Sequence, residues 1–326
     1  MRRRDFIAGL GAGAAWPLVA LAQQPRMPVI GFLSLGSPER SEKYVSAFRK
    51  GLSETGFAED RNVAIEYRFA QNERARLPEF AADLVRRQVA VIAAFTLSAA
   101  LAVKATTTTI PIVFGIAGDP IQTGLVARLN RPGGNVTGAN NMSIELDAKR
   151  FELLHALLPA ARRFAVLIHR ASANVEFLTR EAQAAGSAIG LQIEILYAGT
   201  DRDIDAAFAT LVQKGAEGLL VSPEPLFFAR RTQILTLAAR HAVPAMFPSR
   251  EDAEAGGLMS YGTSIEERER QVGIYTGRIL KGEKPADLPV VRPRTRVEFV
   301  INMQTARALA IKVPQLILAG ATEVIQ

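Results

Sequence analysis

The decisive stretch is Val29-Ile30-Gly31-Phe32-Leu33-Ser34, a short apolar run that is typical of a buried strand. A helical pattern follows it over about residues 41–55, with apolar residues on one face and Gly56 at its end. A strand followed by an amphipathic helix is the repeating unit of parallel α/β sheets. The same alternation continues to about residue 114, and after Arg131-Pro132-Gly133-Gly134-Asn135 it starts afresh and runs to about residue 247. We therefore predict an α/β fold with two doubly wound parallel-sheet lobes.

The remaining C-terminal sequence is too short for a third domain. It contains a helical pattern over residues 266–280 and the segment 297–325. We expect both to return to the lobes, which would make the connection a multi-stranded hinge. We assign residues 28–140 plus about 264–295 to lobe one, 141–263 to lobe two, and 296–326 to a C-terminal segment that returns across the hinge.

The first 22 residues have the features of a removable export signal. A basic start precedes an apolar stretch and the small-x-small site Ala20-Leu21-Ala22, and Arg3-Arg4-Asp5-Phe6-Ile7 has the twin-arginine form. The apolar stretch is interrupted by glycines and falls short of the roughly 20 residues that a membrane span needs. We predict Tat export, cleavage near Ala22-Gln23, and a periplasmic location, with an uncleaved anchor as the alternative.

Composition excludes several classes of site. The sequence has no cysteine, so a disulfide framework, a thiol nucleophile and a cysteine metal site are all excluded. Removal of the signal would lower the net charge from +7 to +5, because three arginines and one aspartate leave, and no basic block indicates nucleic acid binding. The three histidines have no metal-binding spacing, and neither a Gly-x-Ser-x-Gly elbow nor a phosphate loop is present. We predict no catalytic residue, no metal site and no cofactor, and we expect the protein not to be an enzyme.

Ligands of open parallel sheets bind beyond the carboxyl ends of the strands, where helix N-termini offer unpaired N–H groups. The predicted strand ends are followed by small and polar residues, and residue 141 marks the start of lobe two. The predicted ligand-binding residues are Ser34, Ser37, Thr96, Ser98, Gly118, Asp119, Asn141, His169, Glu224 and Tyr261.

Several of these residues also have a purely structural interpretation. Thr96 and Ser98 could bind a carboxylate or cap the following helix. Asp119 could pair with a ligand ammonium or initiate the turn before a helix over residues 121–129, and Gly118 beside it favours the ligand. Glu224 could equally be a solvated turn carboxylate, and Tyr261 could line a cleft or pack in the core.

His169 and Arg170 end a strand in lobe two and could bind an anion. An exposed arginine at such a position is usually only solvated, so this interpretation also stays open.

Several stretches resemble a known family. They are Val29-Ile30-Gly31-Phe32-Leu33, Ile110-Pro111-Ile112-Val113-Phe114, Gly118-Asp119-Pro120, Gly124-Leu125-Val126, the block from Arg131 to Gly138, the block from Leu280 to Pro289, and Asn302. From about Pro28 onward the chain resembles ABC-importer substrate-binding proteins of the tryptophan or aromatic-amino-acid-binding type, which have a type 1 periplasmic-binding fold. The resemblance implies that Asp119 and its neighbours line a cleft between the lobes, and that a membrane permease and a cytoplasmic ATPase are partners. The loops are not diagnostic of tryptophan, so the ligand stays open.

We therefore predict a periplasmic solute-binding protein of an ABC importer that captures an amino acid or related carboxylate by hinge closure. The alternatives are a ligand-sensing accessory protein of a membrane receptor and an exported α/β enzyme. A transcriptional regulator on the same core is disfavoured, because an export signal stands where a DNA-binding helix-turn-helix would be needed.

Overall fold

The computed structural model describes residues 27–141, 143, 146–172, 174–293 and 297–326. The predicted export signal and its cleavage site lie outside the described residues. Within the described part, no helix is both long enough and apolar enough to cross a bilayer. The chain forms two β-sheets with helices on their faces, and each sheet is the centre of one lobe.

Lobe one contains a five-stranded parallel sheet with the strand order β2-β1-β3-β4-β5. Because the strands run in one direction, their carboxyl ends share one edge, and Ser34 lies opposite Phe95 there. Its strands and first helices are β1 (Val29–Ser34), α1 (Pro38–Glu54), β2 (Ala64–Phe69), α2 (Leu77–Arg86), β3 (Val91–Phe95), α3 (Leu97–Thr106), β4 (Ile112–Ile116) and β5 (Val136–Asn140).

The expected helix over residues 121–129 is absent, and this stretch consists of turns and bends. Asp119 initiates the first turn, since its Oδ1 accepts hydrogen bonds from the backbone N–H groups of Ile121 and Gln122. Gly124 has a φ of +72°, which a continuous right-handed helix cannot contain. The sequence pattern alone was therefore misleading here.

Lobe two contains a seven-stranded sheet with the order β12-β11-β10-β9-β8-β6-β7, in which only β10 and β11 are antiparallel among the described pairs. Its first elements are α4 (Asp147–Leu157), β6 (Arg163–His169), α5 (Val175–Ala188), β7 (Gln192–Ala198), α6 (Asp201–Lys214), β8 (Gly218–Val221), α7 (Pro225–Ala229), α8 (Arg231–Arg240), β9 (Ala245–Phe247), α9 (Arg250–Glu254) and β10 (Met259–Gly262).

The C-terminal part of the chain contributes to both lobes. Helix α10 (Ile265–Leu280) returns to lobe one and packs on α1 and on the sheet. The segment after residue 297 then completes lobe two with β11 (Glu298–Asn302), α11 (Met303–Ala308), α12 (Gln315–Gly320) and β12 (Glu323–Ile325). The chain thus passes between the lobes three times, after β5, after β10 and before β11. The described part of the predicted C-terminal segment, residues 297–326, adds the edge of the lobe-two sheet.

Helices α1 and α10 approach so closely that two glycines are required at their contact. A Cβ on Gly51 would lie 1.9 Å from the carbonyl oxygen of Arg270, and one on Gly273 would lie 2.1 Å from that of Phe48. Val272 and Tyr275 of α10 are buried in the same apolar layer as Phe32 and Phe48. The second crossing of the chain therefore brings a rigidly held helix to the edge of the interlobe cleft.

Candidate functional site

A cavity of about 270 Å³ lies between the lobes, at the carboxyl ends of the parallel strands. Its walls come from the loops after β1, β2, β3 and β4 in lobe one, and from the loops after β6, β8 and β9 in lobe two. The residues after β10 and the first turns of α10 complete it. Its volume is just below the roughly 300–1,000 Å³ of drug-sized ligand sites, which suits one small metabolite.

Six of the sequence-predicted residues line this cavity. They are Ser34, Ser37, Thr96, Ser98, Asn141 and Glu224. Ser34 is the last residue of β1, four others lie after the carboxyl end of a strand, and Asn141 follows β5 at the first chain crossing. The four are Ser37, Thr96, Ser98 and Glu224.

The other four predicted residues, Gly118, Asp119, His169 and Tyr261, lie outside the lining of the cavity. Asp119 is held in its turn, as described above. Tyr261 packs edge to face on Phe299, with 6.0 Å between the ring centroids, and so belongs to the lobe-two core. These four residues therefore do not line the cavity, and a role for them in ligand binding stays a prediction.

His169 lies near the cleft but faces the lobe-two interior. It is 8% exposed, and its Nδ1 accepts a hydrogen bond from the backbone N–H of Ala171 at 3.1 Å. Burial, followed by the positive charge of Arg74, lowers the pKa of His169 to about 4. The imidazole is therefore neutral at physiological pH and does not supply the positive charge considered for it.

One side of the cavity is aromatic. Phe32, Tyr44 and Phe95 approach it from lobe one, and Phe228 approaches it from lobe two. Phe95 stacks on Phe32 with 4.2 Å between centroids and an interplanar angle of 22°. This wall offers flat apolar surface from both lobes to a ligand ring.

A hydrogen-bonded chain crosses the cleft. Arg74 of lobe one donates to the Ser98 hydroxyl and to Glu224 of lobe two, and Glu224 also accepts from the Ser172 hydroxyl. Glu224 is 5% exposed. Burial raises the pKa of Glu224, while the hydrogen bond from Ser172 and the charge of Arg74 oppose that rise. Both carboxylate oxygens of Glu224 are thus engaged by protein groups.

A second polar group, at the start of α10, is only partly satisfied. Arg268 donates through Nε and Nη2 to Oε1 of Glu269, and its Nη1 lies 3.4 Å from Oδ1 of Asn141. Burial raises the pKa of Glu269, and the charge of Arg268 opposes the rise. Oε2 of Glu269 and Nδ2 of Asn141 are buried, and neither has a hydrogen-bond partner in the part of the chain that the structure describes. Such atoms are uncommon in folded proteins and need an explanation.

Two lining residues have a backbone conformation that is unusual for a non-glycine residue. Thr96 has a φ of 119° and Asn72 a φ of 66°, and both line the cleft. Asn72 Oδ1 is a further buried atom that has no hydrogen-bond partner among the described residues. The Thr96 hydroxyl accepts a hydrogen bond from the N–H of Ala99 at 3.3 Å and so caps α3. Strained residues of this kind typically occur at ligand sites.

Sequence reasoning missed several lining residues, notably Arg74, Arg268, Glu269 and Phe228. Glu269 had one usable signal, because Glu269, Val272, Gly273 and Thr276 share the buried face of α10 at helical spacing. Arg74 lies in a single turn of 3-10 helix, where no periodicity could mark it. Within the described residues, no cluster of three or more histidine, aspartate or glutamate side chains is placed to hold a metal ion.

Known proteins share both this sequence pattern and this architecture. Residues 14–325 match the family model described as ABC transporter substrate binding protein. The chain is 25% identical over 281 residues to the tyrosine-binding protein of Clostridioides difficile (strain R20291), an alignment that covers 86% of this chain and 80% of the relative.

Two solved structures are similar over nearly their whole length. One is the ABC domain from Streptococcus pneumoniae in complex with L-Trp, with a TM-score of 0.82, 24% identity, and coverage of 91% of this chain and 99% of that one. The other is a conserved domain protein from Vibrio cholerae, with a TM-score of 0.84, 23% identity, and coverage of 92% and 100%. The predicted type 1 periplasmic-binding fold is thereby confirmed, and the family match over most of the sequence shows that the chain belongs to the ABC transporter substrate-binding proteins.

Proposed function

We propose that this protein captures an amino acid with an aromatic side chain between its lobes and delivers it to an ABC importer from the periplasm. One observation carries the proposal: a small interlobe cavity combines aromatic lining residues with buried polar atoms that have no partner among the residues described. An amphipathic ligand with a ring at one end and charged groups at the other would satisfy both parts.

The aromatic wall fits the side chain of such a ligand. Phe95 already stacks on Phe32, so its side chain would lose little conformational entropy when a ligand ring binds against it. Phe228 faces the cleft from the other lobe. A ring placed between the lobes would therefore contact both of them and favour the closed form.

The polar lining fits the carboxylate of an amino acid. Nδ2 of Asn141 is a buried donor with no partner in the described ranges, and Thr96, the N-cap of α3, lies in the cavity wall. Arg40 of α1 also lines the cavity, and among the described residues it forms no ion pair. Backbone N–H groups at a helix start and a guanidinium are both good carboxylate ligands.

The relatives support the same class of ligand. The name of the Clostridioides difficile relative specifies tyrosine, and the Streptococcus pneumoniae structure contains L-Trp. Family membership supports an ABC permease and ATPase as partners. The N-terminal sequence expected to be an export signal supports a periplasmic site of capture.

Calorimetric titration of the chain from Gln23 onward tests the proposal, with L-tryptophan, L-tyrosine and L-phenylalanine as ligands and L-glutamate as the control. We expect saturable binding of at least one aromatic amino acid and a rise in melting temperature, since 100 Kd of ligand stabilises the native state by about 2.7 kcal/mol. Absence of binding by all three aromatic amino acids would refute the ligand assignment. Delivery is tested separately, by uptake of the labelled ligand in cells with and without the protein.

A further inference from the structure

We propose that Glu269 recognises a primary ammonium group on the ligand and thereby restricts the protein to amines. This inference rests on the proposed function, because it assigns the charged end of the same interlobe ligand. Its basis is the position of the Glu269 carboxylate, which lies between Arg268 and Gly115 in the lining of the cavity.

The two oxygens of Glu269 have different surroundings. Oε1 accepts from both Nε and Nη2 of Arg268, with 3.1 Å to Nε, whereas Oε2 accepts from no group of the described residues. Gly115 at the end of β4 leaves room for Oε2, because a Cβ there would lie only 2.5 Å from it. Both Gly115 and Glu269 line the cavity. The free oxygen is thus held against the strand end where ligands of parallel sheets bind.

Glu269 is better suited to this role than the other acidic residue of the cleft. Among the described residues that line the cavity, Glu224 and Glu269 are the two carboxylates. Glu224 gives one oxygen to Ser172 and the other to Arg74. Asp119, which the sequence favoured for ammonium binding, lies outside the cavity. Glu269 therefore retains the one free carboxylate oxygen of this lining.

A ligand ammonium would satisfy that oxygen. Glu269 is 2% exposed, and a carboxylate so deeply buried needs hydrogen bonds on both oxygens to remain ionised at low cost. Burial already raises the pKa of Glu269, and a cation beside Oε2 would oppose that shift as Arg268 does. An uncharged ligand end would leave the oxygen unpaired, so analogues without the amine should be rejected.

The test compares two probes that differ in the amine. L-Tryptophan carries the ammonium, and indole-3-propionate has the same ring and carboxylate without it. For the unmodified protein we expect indole-3-propionate to bind about 10- to 100-fold more weakly than L-tryptophan, the effect of losing one charged hydrogen-bonded contact. In Glu269→Gln the affinity for L-tryptophan should fall by a similar factor, while that for indole-3-propionate should stay within about twofold.

Glu267→Gln is the matched control, because Glu267 lies on the same helix but pairs with Arg270 outside the cavity. Its affinities for both probes should be unchanged. Equal affinity of the unmodified protein for both probes would overturn the proposal without any variant, even if Glu269→Gln failed to fold. Equal loss of both probes in a folded Glu269→Gln would also overturn it, by showing a structural role. If the unmodified protein binds neither of the two probes and no aromatic amino acid, the proposed function is refuted, and the assignment of Glu269 with it.

Discussion

Arg74 and Glu224 are 150 residues apart in the sequence and meet across the cleft, with 3.3 Å between Nη2 of the arginine and Oε2 of the glutamate. One partner belongs to each lobe, so separation of the lobes must break the contact. The pair is extended at both ends, by Ser98 beside Arg74 and by Ser172 beside Glu224. The pair therefore favours the arrangement in which the lobes are close together, and we expect a ligand that touches both lobes to favour it further.

Replacement of Arg74 by methionine should favour the open form. The variant leaves Glu224 buried without a counter-charge, a loss that typically costs about 3–5 kcal/mol when no relaxation occurs. Opening relieves that cost, so we expect a larger radius of gyration by small-angle X-ray scattering. The affinity for the aromatic ligand should also fall by about tenfold or more.

The double variant Arg74→Met with Glu224→Gln separates this charge effect from simple loss of a contact. The double variant has no uncompensated carboxylate at residue 224. Its scattering profile and its ligand affinity should therefore lie between those of Arg74→Met and those of the unmodified protein. An Arg74→Met protein that matches the unmodified one in both measurements would show that the pair does not control closure.

The neighbouring residues Phe227 and Phe228 should respond differently to truncation. Phe228 lines the ligand cavity, whereas Phe227 is 3% exposed in the lobe-two core and does not line it. We expect Phe228→Ala to weaken binding of L-tryptophan by about 5- to 20-fold, in keeping with the loss of one ring contact. Phe227→Ala should instead lower the free energy of unfolding by about 3–5 kcal/mol. Calorimetry and urea denaturation of both variants decide this, and the reverse pattern would contradict the placement of the two rings.

His169 should make stability depend on pH between about 4 and 6.5. Its pKa is lowered from the usual 6.5 to about 4 in the folded protein, chiefly by burial and then by Arg74. The unfolded chain therefore binds the proton more readily within that window, and the contribution of the neutral imidazole is lost as the pH falls through it.

His169→Asn removes this titration and keeps an acceptor for the Ala171 N–H group. Melting temperatures of both proteins, measured between pH 7.5 and 4.5, test the expectation. Below pH 6.5 the melting temperature of the unmodified protein should fall more steeply than that of the variant. Parallel curves for the two proteins would exclude His169 as the cause.

Arg150 should be the most costly arginine to remove near the first and second chain crossings. It is fully buried, pairs with Asp147, and donates to the carbonyl oxygens of Ser143 and Tyr261 at 2.8 and 2.7 Å. Arg150→Met should lower the free energy of unfolding by about 3–5 kcal/mol, because the buried Asp147 loses its partner. Lys149→Met is the control, since its pair with Glu152 is exposed and worth at most about 1 kcal/mol. Similar urea denaturation midpoints for the two variants would contradict this view of the crossings.

The fold could be predicted because its information is local. β1, β3 and β4 are buried apolar runs separated by helical segments, and this order alone indicates a parallel sheet. The same reasoning located Thr96 and Glu224, since strand-end loops lie at one edge of a sheet. It did not anticipate that Asp119 lies outside the cavity lining: β4 ends at Ile116, and the Asp119 carboxylate is engaged by backbone N–H groups of the following turn.

The charged part of the site could not be predicted in the same way. Glu269 lies in the run Glu266-Glu267-Arg268-Glu269-Arg270, which is typical of a solvated helix face. Only the return of α10 to lobe one brings Glu269 against Gly115, and that contact depends on tertiary structure. Arg74 likewise gains its partner from the other lobe. The helical spacing of Glu269 with Val272 and Thr276 indicates burial, but the partners of Glu269 and Arg74 come from distant segments and leave no local pattern in the sequence.

The repeated crossing of the chain also sets the order in which the protein can be completed during synthesis. Lobe one runs to β5, but its core still lacks Val272 and Tyr275 until α10 has been made. At roughly 5–20 residues per second, about 125 residues of lobe two must emerge first, which takes on the order of ten seconds. For that interval Phe48 and its apolar neighbours have no cover from α10. The nascent chain therefore needs protection from aggregation until the ribosome has passed residue 280.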